Sequence, residues 1–155
     1  MGGTGWQHIG EYAGSVAAAL EAVQRDVYAS GKFQHWLHEV TGQPMPTFEA
    51  YWADPELRSP EGRTHSILDV SEVRDGLAYE ADSQAWPGRY YEGVYPLTNA
   101  ELATAFNTLE PTREDFDRVG GFDAMPDTER GCGRSATLYR GGSPSEVAFW
   151  GASGY

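Results

Sequence analysis

The stretch His35-Trp36-Leu37-His38-Glu39 is the most metal-like pattern in the chain. On a helix, His35, His38 and Glu39 stand at i, i+3 and i+4, so one face presents all three to a single ion. The known zinc signatures differ: they set two histidines four apart or order them as His-x-x-Glu-His. His65 is the one further ligand candidate. The stretch therefore reads as a half-exposed helix, and no metal or other cofactor is assigned. Cys132 lies between Gly131 and Gly133, with Arg130 and Arg134 close enough in sequence to lower a thiol pKa. A nucleophilic cysteine also needs a base, and none of His8, His35, His38 and His65 is its sequence neighbour. Cys132 is expected to be a small residue at the entry to a strand. Asp115 and Asp117 stand two apart, which on a helix turns them to different faces and disfavours paired acid–base work. The spacing of a calcium loop is absent, as are a nucleophile elbow, a Walker loop and a dinucleotide fingerprint.

Two features carry more weight. The first is acidity. The chain holds 11 Lys and Arg against 23 Asp and Glu, a formal net charge of −12. Within residues 110–129, Glu110, Glu114, Asp115, Asp117, Asp123, Asp127 and Glu129 face only Arg113 and Arg118. Such a field repels phosphate backbones and anionic lipid surfaces, so neither direct nucleic-acid nor membrane binding is expected. It attracts a basic protein and speeds its association. The second is the aromatic run Trp86, Tyr90, Tyr91 and Tyr95 with Arg89 inside it, residue types enriched at binding hot spots.

The expected function is a small acidic binding protein that engages a basic protein partner. An immunity protein or inhibitor acting by occlusion has this size and charge. The expected contact set is the seven carboxylates of 110–129 with Trp86, Arg89, Tyr90, Tyr91 and Tyr95. Two alternatives stand beside it. One is a small enzyme or ligand-binding domain whose cleft is lined by His35, His38, His65, Cys132 and tyrosines. The other is a subunit of a larger complex, with a homo-oligomer left open. The single cysteine and an opening with neither a basic cluster nor an apolar run suit a reducing cytoplasm.

The elements that must position these residues follow from patterning. With 155 residues and 40% hydrophobic composition, one domain with its own core is expected over 11–155, after a flexible lead over 1–10. Val16, Leu20, Val23 and Val27 make a helical stripe between Ser15, an N-cap, and Gly31, a C-cap glycine. Shorter helices are expected over Phe33–Val40 and after Thr47. Asp75-Gly76 reads as a hairpin turn between strands at 65–73 and 77–82, and the aromatic run as a third strand within 84–97. Thr98 with Glu101 is a capping box opening a helix with Leu102, Phe106 and Leu109 inward, and Thr112 opens another with Phe116 and Val119 inward. A C-terminal hairpin is expected from Arg134 to Arg140 and Ser145 to Trp150, with Gly141-Gly142-Ser143-Pro144 as its turn. The fold class expected is α+β: one compact domain, an antiparallel sheet of four to five strands, and three to five helices.

Overall fold

The first long helix, α1 (Val16–Ser30), forms where its caps place it. Ser15 Oγ accepts the Ala18 N–H, and Gly31, at φ 69°, donates its N–H to the Tyr28 carbonyl. Leu20 and Val23 of the predicted stripe are buried, and Val16 and Val27 are partly buried against the same cluster. Gln24 joins them. Its amide donates to the Ile67 and Val70 carbonyls at 3.1 and 2.8 Å, which ties α1 to the 3₁₀ turn Ile67–Asp69.

The computed structural model describes residues 5–59, 62–85 and 92–153. Five strands form one mixed sheet: β1 (Gly5–Glu11), β2 (Glu72–Val73), β3 (Gly93–Pro96), β4 (Cys132–Arg140) and β5 (Ser143–Ala152), in the order β1-β5-β4-β3-β2. The remaining helices are α2 (Trp36–Thr41), α3 (Phe48–Ala53), α4 (Tyr79–Ala85), α5 (Asn99–Phe106) and α6 (Arg113–Arg118). The single α+β domain and the C-terminal hairpin agree with the sequence expectation. The turn is shorter than expected: Gly141 and Gly142, at φ 59° and 80°, supply the two left-handed positions that a two-residue hairpin turn needs, so Ser143 and Pro144 already belong to β5.

Several elements differ from expectation. Residues 5–10, read as part of a flexible lead, belong to edge strand β1, which pairs antiparallel with β5 from Gly5↔Ala152 to Glu11↔Glu146. The sheet is not wholly antiparallel: β2–β3 and β3–β4 are parallel. Parallel neighbours need crossovers, and α4 and then α5–α6 lie in those connections. Asp75 does not turn a hairpin, and where strands were expected at 65–73 and 77–82 stand the 3₁₀ turn Ile67–Asp69 with the two-residue β2, and then α4. The Asp75 carboxylate accepts the Leu77 N–H and starts a 3₁₀ turn that runs into α4. Leu109 falls outside α5, because Asn107 caps it in the left-handed region; Leu109 is 48% exposed and Val119, the cap of α6, 37%.

The sheet is covered on both faces. On one, Trp6, Val94, Val147 and Phe149 pack with Leu20 and Val23 of α1. On the other, Ala136, Leu138, Ala148 and Trp150 pack with Phe106, Phe116 and Met125. The alternation of Val147 and Phe149 with Ala148 and Trp150 is the two-residue period of a strand buried on both sides. The Trp6 ring lies over Gly151 and Gly133, neighbours across β5 and β4. A side chain at either glycine would meet the indole, so glycine here permits the close approach.

Candidate functional site

The histidine pattern has a structural role. His35 is 2% exposed, its Nδ1 accepts the Leu37 N–H as the N-cap of α2, and its Nε2 donates to the Leu57 carbonyl at 2.8 Å. Both ring nitrogens are engaged, while His38 and Glu39 lie exposed. Among the described residues no three His, Cys, Asp or Glu side chains converge as metal ligands.

Cys132 is fully buried, and its thiol donates to the Glu129 carbonyl at 3.1 Å. Burial pushes the thiol up to about 11, against the opposing influence of Tyr79. Arg134 does act to lower it, as its place in the sequence suggests, but burial outweighs that influence, and the guanidinium itself is engaged elsewhere. Arg134, itself 2% exposed, forks onto Glu101, with Nη2 2.5 Å from Oε1 and Nη1 3.1 Å from Oε2. Its Nε donates to the Tyr95 carbonyl at 3.0 Å, and its guanidinium lies 4.2 Å from the centre of the Tyr79 ring. Glu101 also accepts the Thr98 N–H at 3.0 Å, so one carboxylate closes the capping box of α5 and neutralises the buried cation. Burial pushes its carboxyl up, but Arg134 and the Thr98 N–H together outweigh that and the net displacement is downward.

Around this pair sits the best candidate site, a pocket of about 500 Å³. Leu77, Tyr79, Pro126 and Asp127 line it together with Glu80, Glu101 and Arg134. Leu77 is 79% exposed. The loop carrying Asp127 is clipped down at Glu129, whose N–H reaches Tyr79 Oη at 3.0 Å and whose carbonyl holds Cys132. Burial holds the Tyr79 phenol at about 12, so it stays neutral. The pocket thus carries three carboxylates against one guanidinium that is already paired.

The acidic stretch surrounds the Asp127 side of this pocket in sequence. Glu110, Glu114, Asp117, Asp123, Asp127 and Glu129 are exposed. Arg118 pairs with Asp115, and Arg113 reaches both Asp117 at 3.5 Å and Glu146 at 3.1 Å. Glu110, Glu114, Asp123, Asp127 and Glu129 therefore keep no ion-pair partner among the described residues. Asp115 belongs to the scaffold: it accepts the Thr112 N–H at 2.9 Å and completes the capping box of α6. Tyr95 is corrected as a contact residue. It is fully buried, and its hydroxyl donates to Asp82 at 2.6 Å. Trp86, Arg89, Tyr90 and Tyr91 lie outside the described residues.

Sequence reasoning missed Glu80, Glu101 and Leu77 as members of one site. The capping box located Glu101 on its helix, but its distance from Arg134 in sequence hid the pairing. No family model, no curated protein and no solved structure matches this chain, so its function is read from the geometry.

Proposed function

We propose that this protein is a small binding protein that engages a basic protein partner, in the manner of an inhibitor or immunity protein, by occluding the partner's cationic surface. The observation that carries the reading is the pocket lined by Glu80, Glu101, Asp127 and exposed Leu77, together with exposed carboxylates of 110–129 that form no ion pair among the described residues. A lysine or arginine side chain of the partner enters it with its apolar stem along Leu77 and Tyr79. Glu110, Glu114, Asp123 and Glu129 steer the encounter, as rim charges govern association rate more than affinity. Trp86, Arg89, Tyr90 and Tyr91 remain in the proposed contact set on their residue types. Among the described residues no helix is long and apolar enough to cross a membrane. A cytoplasmic location stays part of the proposal, on the single cysteine.

Of the groups named for the alternative enzyme or ligand-binding reading, two are unsuited to reaction, since His35 caps a helix and the buried Cys132 thiol resists ionisation. The test compares tagged wild type with a Glu114→Gln, Asp123→Asn, Asp127→Asn variant, which spares the capping residue Asp115. Both are used to capture protein from the native source at low and high salt. A basic protein held by wild type, released by salt and associating roughly 10-fold more slowly with the variant supports the reading. Equal capture by both proteins refutes it.

A further inference from the structure

On the opposite face of the sheet, beside the C-terminal end of α1, lies a cavity of about 470 Å³ that the acidic surface does not involve. Its lining includes Trp6, His8, Asp26, Val27, Lys32 and His65. His65 is held there by unusual means. The Asp69 carboxylate accepts the Thr64 N–H at 2.7 Å, the Thr64 hydroxyl at 2.8 Å and the His65 N–H at 3.0 Å. Within this turn His65 sits at φ 54°, a conformation that glycine or asparagine adopts with less strain. Backbone strain at a residue with a reactive side chain points to use of that side chain. The ring borders the cavity, and its Nδ1 is buried with no hydrogen-bond partner. A buried polar atom without a partner is destabilising, and a ligand that supplies the partner removes that penalty.

The charges of the cavity are opposite and separate. Asp26 and Lys32, the only lysine of the chain, both line it, yet neither forms an ion pair among the described residues. A lone anion would meet Asp26 and the negative field of the chain, and a lone cation would meet Lys32. A molecule with both charges satisfies both side chains. The lining also carries an aromatic pair: the Trp6 and His8 rings stack with centroids 6.5 Å apart, and Val27 lines the cavity with them. Burial lowers the His8 pKa, which keeps that ring neutral and suited to an apolar contact.

We infer that this cavity binds a small zwitterion with a flat apolar body, the class of the aromatic α-amino acids. The ammonium faces Asp26, the carboxylate faces Lys32 and takes a proton-donating bond from His65 Nδ1, and the aromatic ring lies on Trp6 and His8. The inference is independent of the proposed protein partner, because the two sites use different faces and share no residue.

The experiment is a titration of isotope-labelled full-length protein, followed by NMR, with L-phenylalanine, 3-phenylpropionate and phenethylamine as probes. L-Phenylalanine is expected to shift the Trp6 indole N–H and the amides of His65 and Ser66 saturably, with a dissociation constant at least ~10-fold below that of either singly charged analogue. His65→Gly suits the left-handed backbone, so it should stay folded and lose that preference. Lys32→Gln, on the exposed surface, should weaken L-phenylalanine and 3-phenylpropionate while leaving phenethylamine unchanged. Absence of saturable shifts with L-phenylalanine overturns the inference. So do equal affinities for the three probes, or undiminished L-phenylalanine binding by Lys32→Gln.

Discussion

Glu101→Gln is the substitution that most directly tests the energetics of the Arg134 cluster. Removing one partner of a fully buried ion pair costs about 3–5 kcal/mol, because the other charge is left in a poorly solvated place. Arg134 is 2% exposed and Glu101 32%, and glutamine keeps one oxygen for the Thr98 N–H and the guanidinium. Those two facts reduce the expectation to about 2–4 kcal/mol. For a chain of this size that lowers Tm by about 5–15 °C. Arg134→Met should be milder, about 1–3 kcal/mol, since the half-exposed Glu101 can turn to water and the main loss is the bond to the Tyr95 carbonyl. In the double variant no buried charge is stranded, so it should lie close to Arg134→Met alone. Urea unfolding of the four proteins at neutral pH measures the cycle. The Glu101 carboxyl is depressed in the folded state, so its contribution is present above the unfolded value near 4.3 and is lost as pH falls through the folded one. Glu101→Gln should lack that part of the acid dependence. A Glu101→Gln protein within about 0.5 kcal/mol of wild type, or an Arg134→Met protein less stable than Glu101→Gln, would refute the reasoning.

Gly151→Ala places a methyl group against the Trp6 indole and 2.6 Å from the Cys132 carbonyl oxygen, backbone that cannot yield cheaply. Loss of about 1–3 kcal/mol is expected by chemical denaturation, and an unchanged midpoint would show that Trp6 does not rest on the glycines. Cys132, with its thiol near 11, should react at pH 8 with a thiol-specific disulfide reagent roughly 100-fold more slowly in the native protein than in urea. The same upward displacement means that stability falls as pH rises above the unfolded thiol value of about 8.5, and prompt labelling of the native protein would contradict both expectations.

Five helices, α1, α2, α3, α5 and α6, were legible because their signals are local, whereas α4 was read as a strand. Ser15, Thr47, Thr98 and Thr112 each accept a backbone N–H from three residues onward, and Gly31 and Gly42 each close a helix in the left-handed region. A cap needs only the residues of its own turn, so the sequence states it. The C-terminal hairpin was legible for the same reason, since Gly141-Gly142 and the alternation around it decide turn and register together. The hairpin expected at Asp75-Gly76 shows the limit of such signals: a side chain that starts a hairpin turn starts a 3₁₀ turn equally well, and packing chose between them.

What only the tertiary structure decided is pairing at a distance. The parallel neighbours β2, β3 and β4 depend on where α4, α5 and α6 cross, which no local pattern records. Glu101 and Arg134 meet because α5 packs beside β4, and that contact made a core cation out of an arginine expected beside a thiol. Tyr95 is likewise core because β3 lies inside the sheet between β2 and β4, whereas the cap made by Asp115 is local to its own turn. Composition determined the formal net charge of −12, because that depends only on the sum of the residues. The three-dimensional arrangement decided which carboxylates remain unpaired, because neutralisation is a matter of ångströms.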